Sequence, residues 1–390
     1  MSRPDVAIVA PYPAGKERHG GPSGVASYTA NLSRALAVRG ATVHVVAPRE
    51  PGAVRHEAYG SITVERPFDR GPLALVRACD AALRSGARIV HVQHEHFLYG
   101  GPSSVPALLP SLRRLRRAGL GPVVTMHQVV EPAVIDRSYT QLHRVSVHPQ
   151  LARVGLTTLQ RSISRRAGAC IVHEHRFAHS IPGAVVIPHG VEEACADSRE
   201  DARRHLGIDD DRLVVLCFGF VAPYKGLELA LDAARIVEAD VQLVVAGGEH
   251  PRLAGRDGYA AGLRSAHPHA RFTGYVPDGE VGLWFRAADV ALLTHPKPHG
   301  SSGALALAIA NDTPLLMSEG MADTTGAPDD LIAPGDPTAL ADRLRVLAEN
   351  ESERDALRIA GAPLGQERSW HDVADAHLAL YEEVSACPWP

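Results

Sequence analysis

Short runs of β-branched and aliphatic residues alternate with longer helical patterns along this chain, and that alternation limits its fold more than any other feature. Such alternation is typical of βαβ units with parallel strands. Most of the runs are continuously apolar, as expected for strands that helices cover on both faces. The sequence therefore predicts an α/β protein with two doubly wound, Rossmann-like sheets. The predicted strands are 6–10, 42–47, 89–93, 123–127, 169–172 and 185–188 in the first half, and 213–218, 242–246, 270–273, 290–294 and 314–317 in the second.

The chain length and one polar segment predict the domain organisation. The 390 residues are too many for one ordinary hydrophobic core and suit two domains. A polar, strand-free segment at 191–210 separates the two halves and is predicted to be a linker. This places an N-terminal domain at 1–190 and a C-terminal domain at 211–369. Two facing α/β domains form a cleft, which is where ligands usually bind.

Charge and cysteine content exclude several classes of protein. Forty basic side chains against forty-four acidic ones give a net charge of −4, so the whole chain has no basic footprint for nucleic acid or an anionic membrane. The five cysteines are scattered without a CxxC pair, which argues against a disulfide framework or a structural zinc site. The opening apolar run is too short for a signal peptide, and no stretch approaches the ~20 apolar residues of a membrane span. We therefore expect a cytoplasmic protein without a transmembrane segment.

A glycine-rich turn follows the first predicted strand, with Ser23 and Gly24 at its end. Ser23 is placed to cap a helix, whose first amide groups carry a partial positive charge and attract anions. Glycine at this point lets a ligand approach the backbone. The alternative is a strand-to-helix turn that only needs flexible backbone angles. A dinucleotide site is not favoured, because the GxGxxG spacing is absent.

A lysine stands in the loop after the first strand of the second half, within GFVAPYKG at 219–226. Lys225 is one of only three lysines in the chain. At the carboxyl edge of a parallel sheet, a lysine can reach a bound diphosphate. An ordinary solvated loop lysine is the alternative interpretation.

The segment 294–314 contains a second set of phosphate-binding features. Ser301 and Ser302 are predicted to cap a helix that begins near Gly303. The small residues at this helix start expose N–H groups that suit phosphate oxygens, and Lys297 would add positive charge. The alternative is a tightly packed alanine-rich helix with ordinary capping.

In their order along the chain, these segments resemble the retaining GT-B glycosyltransferases of family 4, in the glycogen-synthase-like superfamily. The resemblance spans nearly the whole chain. The family implies two Rossmann-like domains around a cleft that holds a nucleoside-diphosphate sugar, and a last helix, here 370–390, that returns to the N-terminal domain. In this sequence the helix carries one apolar stripe of Val373, His377, Leu380 and Val384, with Ser369 as its predicted N-cap. The resemblance is carried by the glycine-rich turn, Thr125-Met126-His127, Ile187-Pro188-His189-Gly190, GFVAPYKG, Gly274-Tyr275-Val276 and SSGALALAIANDTP.

The resemblance also implies roles for individual residues. His127 would contact the donor sugar near the reacting carbon. Lys225 would neutralise the charge that develops on the leaving diphosphate. The loop of Tyr275 and Val276 would contact the base through its backbone. The implied donor-binding positions are Gly24, Tyr275, Val276, Lys297, His299, Ser301, Ser302, Gly303 and Leu307.

Several positions depart from the family pattern. The usual pair of glutamates, which contact the donor sugar and the ribose, falls on His299 and Leu307. A basic residue usual in the GFVAPYKG loop is missing, and Asp312 replaces a usual glycine. Losing a charged hydrogen bond to the ribose costs about 1.5–3 kcal/mol, which weakens a donor site without abolishing it. The chain resembles a subgroup with an SSGALALA-type helix start that lacks both glutamates.

Two histidine clusters, at 94–96 and 173–175, raise the question of a metal site. Imidazoles and carboxylates bind zinc, but neither HExxH nor a DxD-like pair is present. The family also implies catalysis without a protein-bound metal, so we expect no metal and no cofactor besides the nucleotide sugar, which is a co-substrate. His94, His96 and His173 are expected to line the cleft, where neutral imidazoles can hydrogen bond to sugar hydroxyls.

These observations predict a metal-independent retaining glycosyltransferase of the hexosyltransferase type. Its donor would be a GDP- or UDP-linked sugar, and its acceptor a soluble small molecule or glycan in glycoconjugate or natural-product biosynthesis. One alternative is a catalytically degenerate binding or partner subunit, and another is a nucleotide-sugar epimerase or a phosphorylase of the same architecture. No nucleic-acid partner is expected, and a homodimer stays open. The base, the sugar and the acceptor leave too little trace in residue types to be named.

Overall fold

The computed structural model describes residues 3–15, 23–96, 98–142, 147–208, 211–237, 240–250 and 258–387. The chain forms two compact units. The first unit contains the described residues up to Gly190, the short segment His299–Ser301 and the described residues from Trp370 onward. The second unit contains Val191–Pro298 and Ser302–Ser369.

The first unit is built on an eight-stranded sheet in the order β3-β4-β2-β1-β5-β6-β7-β8. All pairs are parallel except β3 with β4. Side chains alternate across the sheet, so Ala7 and Val9 lie in one core while Val6 and Ile8 lie in the other. The strands are β1 (Val6–Val9), β2 (Val43–Pro48), β3 (His56–Tyr59), β4 (Ile62–Phe68), β5 (Ile89–His94), β6 (Val123–Met126), β7 (Ala169–Val172) and β8 (Ala184–Val186).

Helices cover both faces of this sheet, as the predicted parallel architecture requires. They are α1 (Gly24–Val38), α2 (Ala74–Arg84), α3 (Leu108–Arg117), α4 (Arg137–Leu142), α5 (Pro149–Arg166) and α6 (His175–Ser180).

The second unit is built on a five-stranded, fully parallel sheet in the order β11-β10-β9-β12-β13. Its strands are β9 (Leu213–Phe218), β10 (Val241–Ala246), β11 (Arg271–Gly274), β12 (Val290–Leu293) and β13 (Leu315–Met317). Its helices are α7 (Arg199–Leu206), α8 (Leu227–Ile236), α9 (Tyr259–Ala266), α10 (Val281–Ala287), α11 (Gly303–Ala310), α12 (Glu319–Thr325), α13 (Pro337–Glu349) and α14 (Glu351–Gly361). The predicted α/β class with two Rossmann-like parallel sheets is confirmed.

All eleven predicted strands are present, with bounds that differ by at most two residues. The hairpin of β3 and β4 was not predicted. Exposure alternates along both strands, between exposed and half-buried residues in β3 and between buried and half-buried residues in β4, and β4 includes the charged Glu65 and Arg66. A search for continuous apolar runs misses such strands.

The segment predicted as a linker, 191–210, contains helix α7. Its Ala202 and Leu206 lie one helical turn apart and are buried in the core of the second unit. The side chain of Arg203 donates to Asp289 Oδ2 at 2.7 Å. Much of this segment is therefore part of the second unit's fold, although its polar composition suggested a connector.

The last helix, α15 (Trp370–Ala386), belongs to the first unit. Val373, Leu380 and Val384 are buried in the same core as Tyr28 and Leu32 of α1. None of the described helices has the length and apolar composition that crossing a bilayer requires.

Candidate active site

Lys225 lies at the carboxyl edge of the second unit's sheet. Strand β9 ends at Phe218, and the chain turns at Gly219, whose φ of +116° favours glycine. A β-carbon on Gly219 would lie 3.2 Å from Lys225 Nζ, so the lysine side chain crosses this turn closely. Thr294, which directly follows β12, donates from Oγ1 to the carbonyl oxygen of Lys225 at 2.7 Å. Strands β9 and β12 are neighbours in the sheet, so the turn after β9 that carries Lys225 is also held by the residue that follows β12.

The surroundings of Lys225 disfavour its charge. Burial lowers the pKa of the half-buried ammonium to about 8. Among the described residues no carboxylate lies within ion-pair distance of Nζ. Burial, followed by the nearby charge of Lys225, holds the pKa of His295 well below its ordinary value. A desolvated cation without a protein counter-charge is suited to an anionic ligand.

Two further glycines let the backbone segments of this edge approach each other. Gly247, directly after β10, has a φ of +148°, and a β-carbon there would overlap the carbonyl oxygen of Gly219. Gly226 has a φ of +63°, and its β-carbon would lie 2.8 Å from the carbonyl oxygen of Thr294. The sequence reasoning did not single out Gly247, although the Gly247-Gly248 pair after a strand was the available signal.

Helix α11 begins at the same edge, after β12. Ser302 is its N-cap, and the side chain accepts from the backbone N–H of Leu305 at 3.2 Å. The N–H groups of Gly303 and Ala304 have no acceptor among the described residues. This is the N–H cluster that the sequence predicted. Of the two predicted caps only Ser302 acts as one, since Ser301 precedes the N-cap and groups with the first unit.

The other predicted donor-binding residues of the second unit differ in what they can offer. Tyr275, which follows β11, is 59% exposed, whereas Val276 is buried in the core. Lys297 is exposed. Leu307 is only 8% exposed and belongs to the core, so this position supplies no polar group to a ribose.

In the first unit, Gly24 is the first residue of helix α1. Ser23 stands at the N-cap position, but its side chain makes no capping hydrogen bond, and its buried Oγ has no partner among the residues that the structure describes. Ser23 therefore stands where the N-cap was predicted, but it does not make the capping hydrogen bond that was expected. Within the described part of the chain, no atom lies within 4 Å of a β-carbon built on Gly24. Residues 20–22 of the predicted turn lie outside the described residues.

His127 directly follows β6, and both of its ring nitrogens are hydrogen bonded. Nε2 lies 2.6 Å from Gln93 Oε1, and Nδ1 lies 3.2 Å from His173 Nε2. Burial, together with neighbouring histidines, lowers the pKa of His127 well below its ordinary value. The sequence reasoning singled out His127 but missed Gln93, which lies on the adjacent strand β5.

His299, which stands at the position of the first family glutamate, lies against residues 127–129 of the first unit. The backbone N–H of Val129 donates to the carbonyl oxygen of His299 at 2.7 Å. The ring of Tyr139 packs edge-on to His299, with centroids 5.6 Å apart. A β-carbon on Gly300 would overlap the carbonyl oxygen of His127. The chain therefore brings 299–300 against the backbone of 127–129.

His94, His96 and His173, which were expected to line the cleft, all have buried side chains. His94 ends the central strand β5, so it is enclosed by neighbouring strands. Neither ring nitrogen of His94 has a hydrogen-bond partner in the described ranges, while Nδ1 of His96 lies 2.8 Å from Gln128 Oε1. The described residues contain no group of three or more side chains that could hold a metal ion.

Comparison with known proteins agrees with this architecture. Residues 22–194 match the family described as Glycosyltransferase Family 4, and residues 212–350 match Glycosyl transferases group 1. The phosphatidyl-myo-inositol mannosyltransferase of Mycobacterium leprae is 29% identical over 382 residues, which cover 93% of this chain and 94% of that protein. A D-inositol 3-phosphate glycosyltransferase of Nocardioides sp. is 32% identical over 211 residues, but these cover only 48% of this chain and 45% of that protein.

Solved structures share the fold at low sequence identity. Sucrose-phosphate synthase from Thermosynechococcus elongatus superimposes with a TM-score of 0.74 at 18% identity, covering 98% of this chain and all of that one. HepE from Anabaena, solved with UDP and glucose, gives a TM-score of 0.69 at 14% identity, with 98% of this chain and all of that chain covered. The two family matches and the shared architecture lead to one conclusion: the chain belongs to the GT-B glycosyltransferases, with a family 4 domain followed by a group 1 domain.

Proposed function

We propose that this protein is a retaining glycosyltransferase that takes a hexose from a UDP- or GDP-linked sugar without a protein-bound metal. The observation that carries the proposal is Lys225, a desolvated ammonium without a carboxylate partner among the described residues, at the carboxyl edge of a parallel sheet. Helix α11 starts at the same edge with free N–H groups at Gly303 and Ala304. Together these groups suit a diphosphate better than any other common ligand.

In this proposal Lys225 assists the leaving group. As the bond between the anomeric carbon and the diphosphate oxygen breaks, negative charge develops on the terminal phosphate. The ammonium is protonated at neutral pH, because its pKa of about 8 lies above 7. In a partly desolvated site it stabilises that charge more strongly than it would in water.

The proposed route to retention is substitution on the face from which the diphosphate leaves. The two usual glutamate positions hold His299 and Leu307, so neither supplies a carboxylate nucleophile. The acceptor oxygen would form its bond to the anomeric carbon as the bond to the diphosphate breaks. The acceptor proton would pass to an oxygen of the departing diphosphate, which balances the reaction without a protein base.

The resemblance assigns His127 to the donor sugar, Gly24 to the diphosphate, and the loop of Tyr275 and Val276 to the base. Because Val276 is buried, its contact would be made by the backbone, which leaves UDP and GDP equally open. Both ring nitrogens of His127 are already engaged, so a hydrogen bond from its ring to a sugar hydroxyl requires exchange of one existing partner.

For the acceptor we propose a hydroxyl group of a soluble polyol, with inositol and its phosphate as first candidates. The support is that the names of both groups of similar proteins contain inositol, as the lipid phosphatidyl-myo-inositol in one and as D-inositol 3-phosphate in the other, so the inositol ring is what they share. A cytoplasmic location fits this acceptor and the scattered cysteines.

The test begins with thermal unfolding in the presence of UDP, GDP, ADP or TDP. A ligand at 100 times its dissociation constant stabilises the folded protein by about 2.7 kcal/mol, so the binding nucleotide should raise Tm clearly. The matching nucleotide sugars are then incubated with inositol, inositol phosphate or no acceptor, in buffer with a chelator. Release of free nucleoside diphosphate only with acceptor, and an anomeric proton coupling that matches the donor's configuration, are expected.

Three results would contradict the proposal. No Tm change with any nucleotide would favour a binding or partner subunit. Conversion of the nucleotide sugar without acceptor would favour an epimerase. An inverted product would exclude substitution on the leaving-group face.

A further inference from the structure

His127 and His173 form a short chain of hydrogen bonds that ends on an oxygen atom at each side. Nδ1 of His173 lies 2.9 Å from the carbonyl oxygen of Ile187. Nε2 of His173 faces Nδ1 of His127, and Nε2 of His127 faces Gln93 Oε1. The two terminal oxygens belong to a peptide carbonyl and a side-chain amide carbonyl, and both can only accept.

The number of protons follows from this arrangement. Three hydrogen bonds that involve only imidazole nitrogens and two accepting oxygens need three N–H protons. Two neutral imidazoles carry two. The arrangement with Oε1 at His127 therefore suits a pair that shares one extra proton and one positive charge. If the Gln93 amide turns by half a revolution, its NH₂ group donates to His127 Nε2, and two protons are enough.

The orientation of the Gln93 amide also affects His91, because the amide nitrogen lies close to the His91 ring. Gln93 Nε2 lies 3.3 Å from His91 Nε2, which also lies 2.7 Å from Thr125 Oγ1. His91 Nδ1 lies 2.7 Å from the hydroxyl of Tyr381 in helix α15. In the observed orientation His91 Nε2 accepts and Nδ1–H donates to Tyr381. With the amide turned, His91 Nε2–H donates and Nδ1 accepts from Tyr381.

The surroundings of the pair oppose its charge. Burial is the main cause that lowers the pKa of His127, followed by the charges of His173, His189, His91 and His94. From helix α1, the ring of Tyr28 packs edge-on to His127 at 4.7 Å between centroids, and burial raises the pKa of this tyrosine, so it stays neutral. The ring of His189 lies 5.9 Å from that of His173.

We propose that Gln93 and His173 are positioning residues that hold the ring of His127, and that the two imidazoles bind a single proton as one unit while the Gln93 amide turns with its arrival and departure. The hydrogen bonds among Gln93, His127 and His173 carry this proposal, which does not depend on the proposed donor and acceptor.

The first test uses the full wild-type chain with ¹⁵N-labelled histidine rings. Long-range proton–nitrogen spectra recorded from about pH 8 down to about pH 4 report both the charge and the tautomer of each ring. His127 and His173 should show the same apparent pKa in one shared step. Above that step His173 should carry its proton on Nδ1, and His91 should change tautomer at the same pH without becoming charged. Separate pKa values for the two rings, or a proton on Nε2 of neutral His173, would overturn the proposal.

The second test uses Gln93→Glu, which replaces the turning amide by a carboxylate that only accepts. The pair should then bind its proton at least about tenfold more tightly, because the third hydrogen bond now ends on a charged acceptor. Gln128→Glu is the matched control, since Gln128 contacts His96 in the same way. It should alter the titration of His96 and leave the shared step unchanged. An unchanged step in Gln93→Glu would contradict the proposal. If this buried variant does not fold, the tautomer of His173 in the wild-type chain decides alone.

Discussion

A β-carbon on Gly247 would overlap the carbonyl oxygen of Gly219, so the residues that follow β10 and β9 approach each other too closely for any side chain at position 247. Gly219 in turn supports the side chain of Lys225, whose Nζ would lie 3.2 Å from a β-carbon there. The location of the ammonium thus depends on a glycine more than twenty residues further along the chain.

We predict that Gly247→Ala lowers affinity for the nucleoside diphosphate that binds the wild-type protein. The methyl group would displace the turn at Gly219 and with it Lys225, and the φ of +148° adds strain. The overlap should also cost about 1–3 kcal/mol in the free energy of unfolding. Gly262→Ala is the control, because no atom of the described residues lies within 4 Å of a β-carbon on this helical glycine. Calorimetric titration and thermal unfolding measure both effects, and equal affinities in the two variants would argue against this role for Gly247.

Lys225→Met should weaken binding of the diphosphate about 10- to 100-fold, since a charged hydrogen bond is worth about 1.5–3 kcal/mol. The same variant should raise Tm at neutral pH in the absence of ligand, because it removes a desolvated charge. Arg235→Met removes an exposed cation of the same unit and should change neither quantity much. Normal affinity in Lys225→Met would show that the lysine does not hold the diphosphate.

Affinity for the diphosphate should decrease as the pH rises through about 8, the pKa of Lys225, because only the ammonium attracts the anion. In the free protein the effect on stability has the opposite direction. The unfolded chain holds its proton up to its ordinary pKa of 10.5, so between about 8 and 10.5 the unfolded state binds more protons and the free energy of unfolding increases with pH. Titrations at several pH values test this, and Lys225→Met should lose this pH dependence.

Ser302→Ala should separate capping from ligand binding when it is compared with Ser198→Ala. Both serines are N-caps in the second unit, at α11 and α7. Each substitution should cost about 1 kcal/mol in the free energy of unfolding. Only Ser302→Ala should also weaken nucleotide binding, because it loosens the N–H groups of Gly303 and Ala304. Equal nucleotide affinities for the two variants would mean that the start of α11 stabilises the fold but does not bind the nucleotide.

Gly190→Ala should destabilise the first unit. A β-carbon at this position would overlap the indole ring of Trp370, the first residue of α15. Displacing a packed indole costs about 1–3 kcal/mol. Gly155→Ala in α5 is the matched control, with open space around its β-carbon, and should stabilise its helix by up to about 1 kcal/mol. Denaturant unfolding measures both changes.

The sequence predicted those parts of the fold that follow from local apolar pattern. Continuous runs such as Val6–Val9 and Leu213–Phe218 are buried on both faces, so pattern and structure agree. The hairpin of His56–Tyr59 and Ile62–Phe68 escaped prediction because it lies at the sheet edge, where polar residues alternate with apolar ones.

The candidate site was predictable where one residue and its turn define the feature, as for Lys225 and Ser302. It was not predictable where partners come from different strands. Gln93 and His173 meet His127 only because β5, β6 and β7 are neighbours, and no local spacing encodes that contact. Asp312 is an intermediate case. Asp312 stands where the resemblance implies a glycine, and it adopts a φ of 53°, a left-handed backbone that glycine adopts readily, while Arg358 donates to its carboxylate at 3.2 Å.

Helix α15 affects how the first unit can fold while the chain is being synthesised. Its Val373, Tyr381 and Val384 complete a core whose members outside α15 come from the first half of the chain, such as Ile8 and Leu32. At about 5–20 residues per second, roughly 10–40 s of translation separate Gly190 from the end of α15. Until α15 has been synthesised, the apolar residues of α1 in this core lack part of their native packing, and exposed apolar surface of this kind is what chaperones recognise.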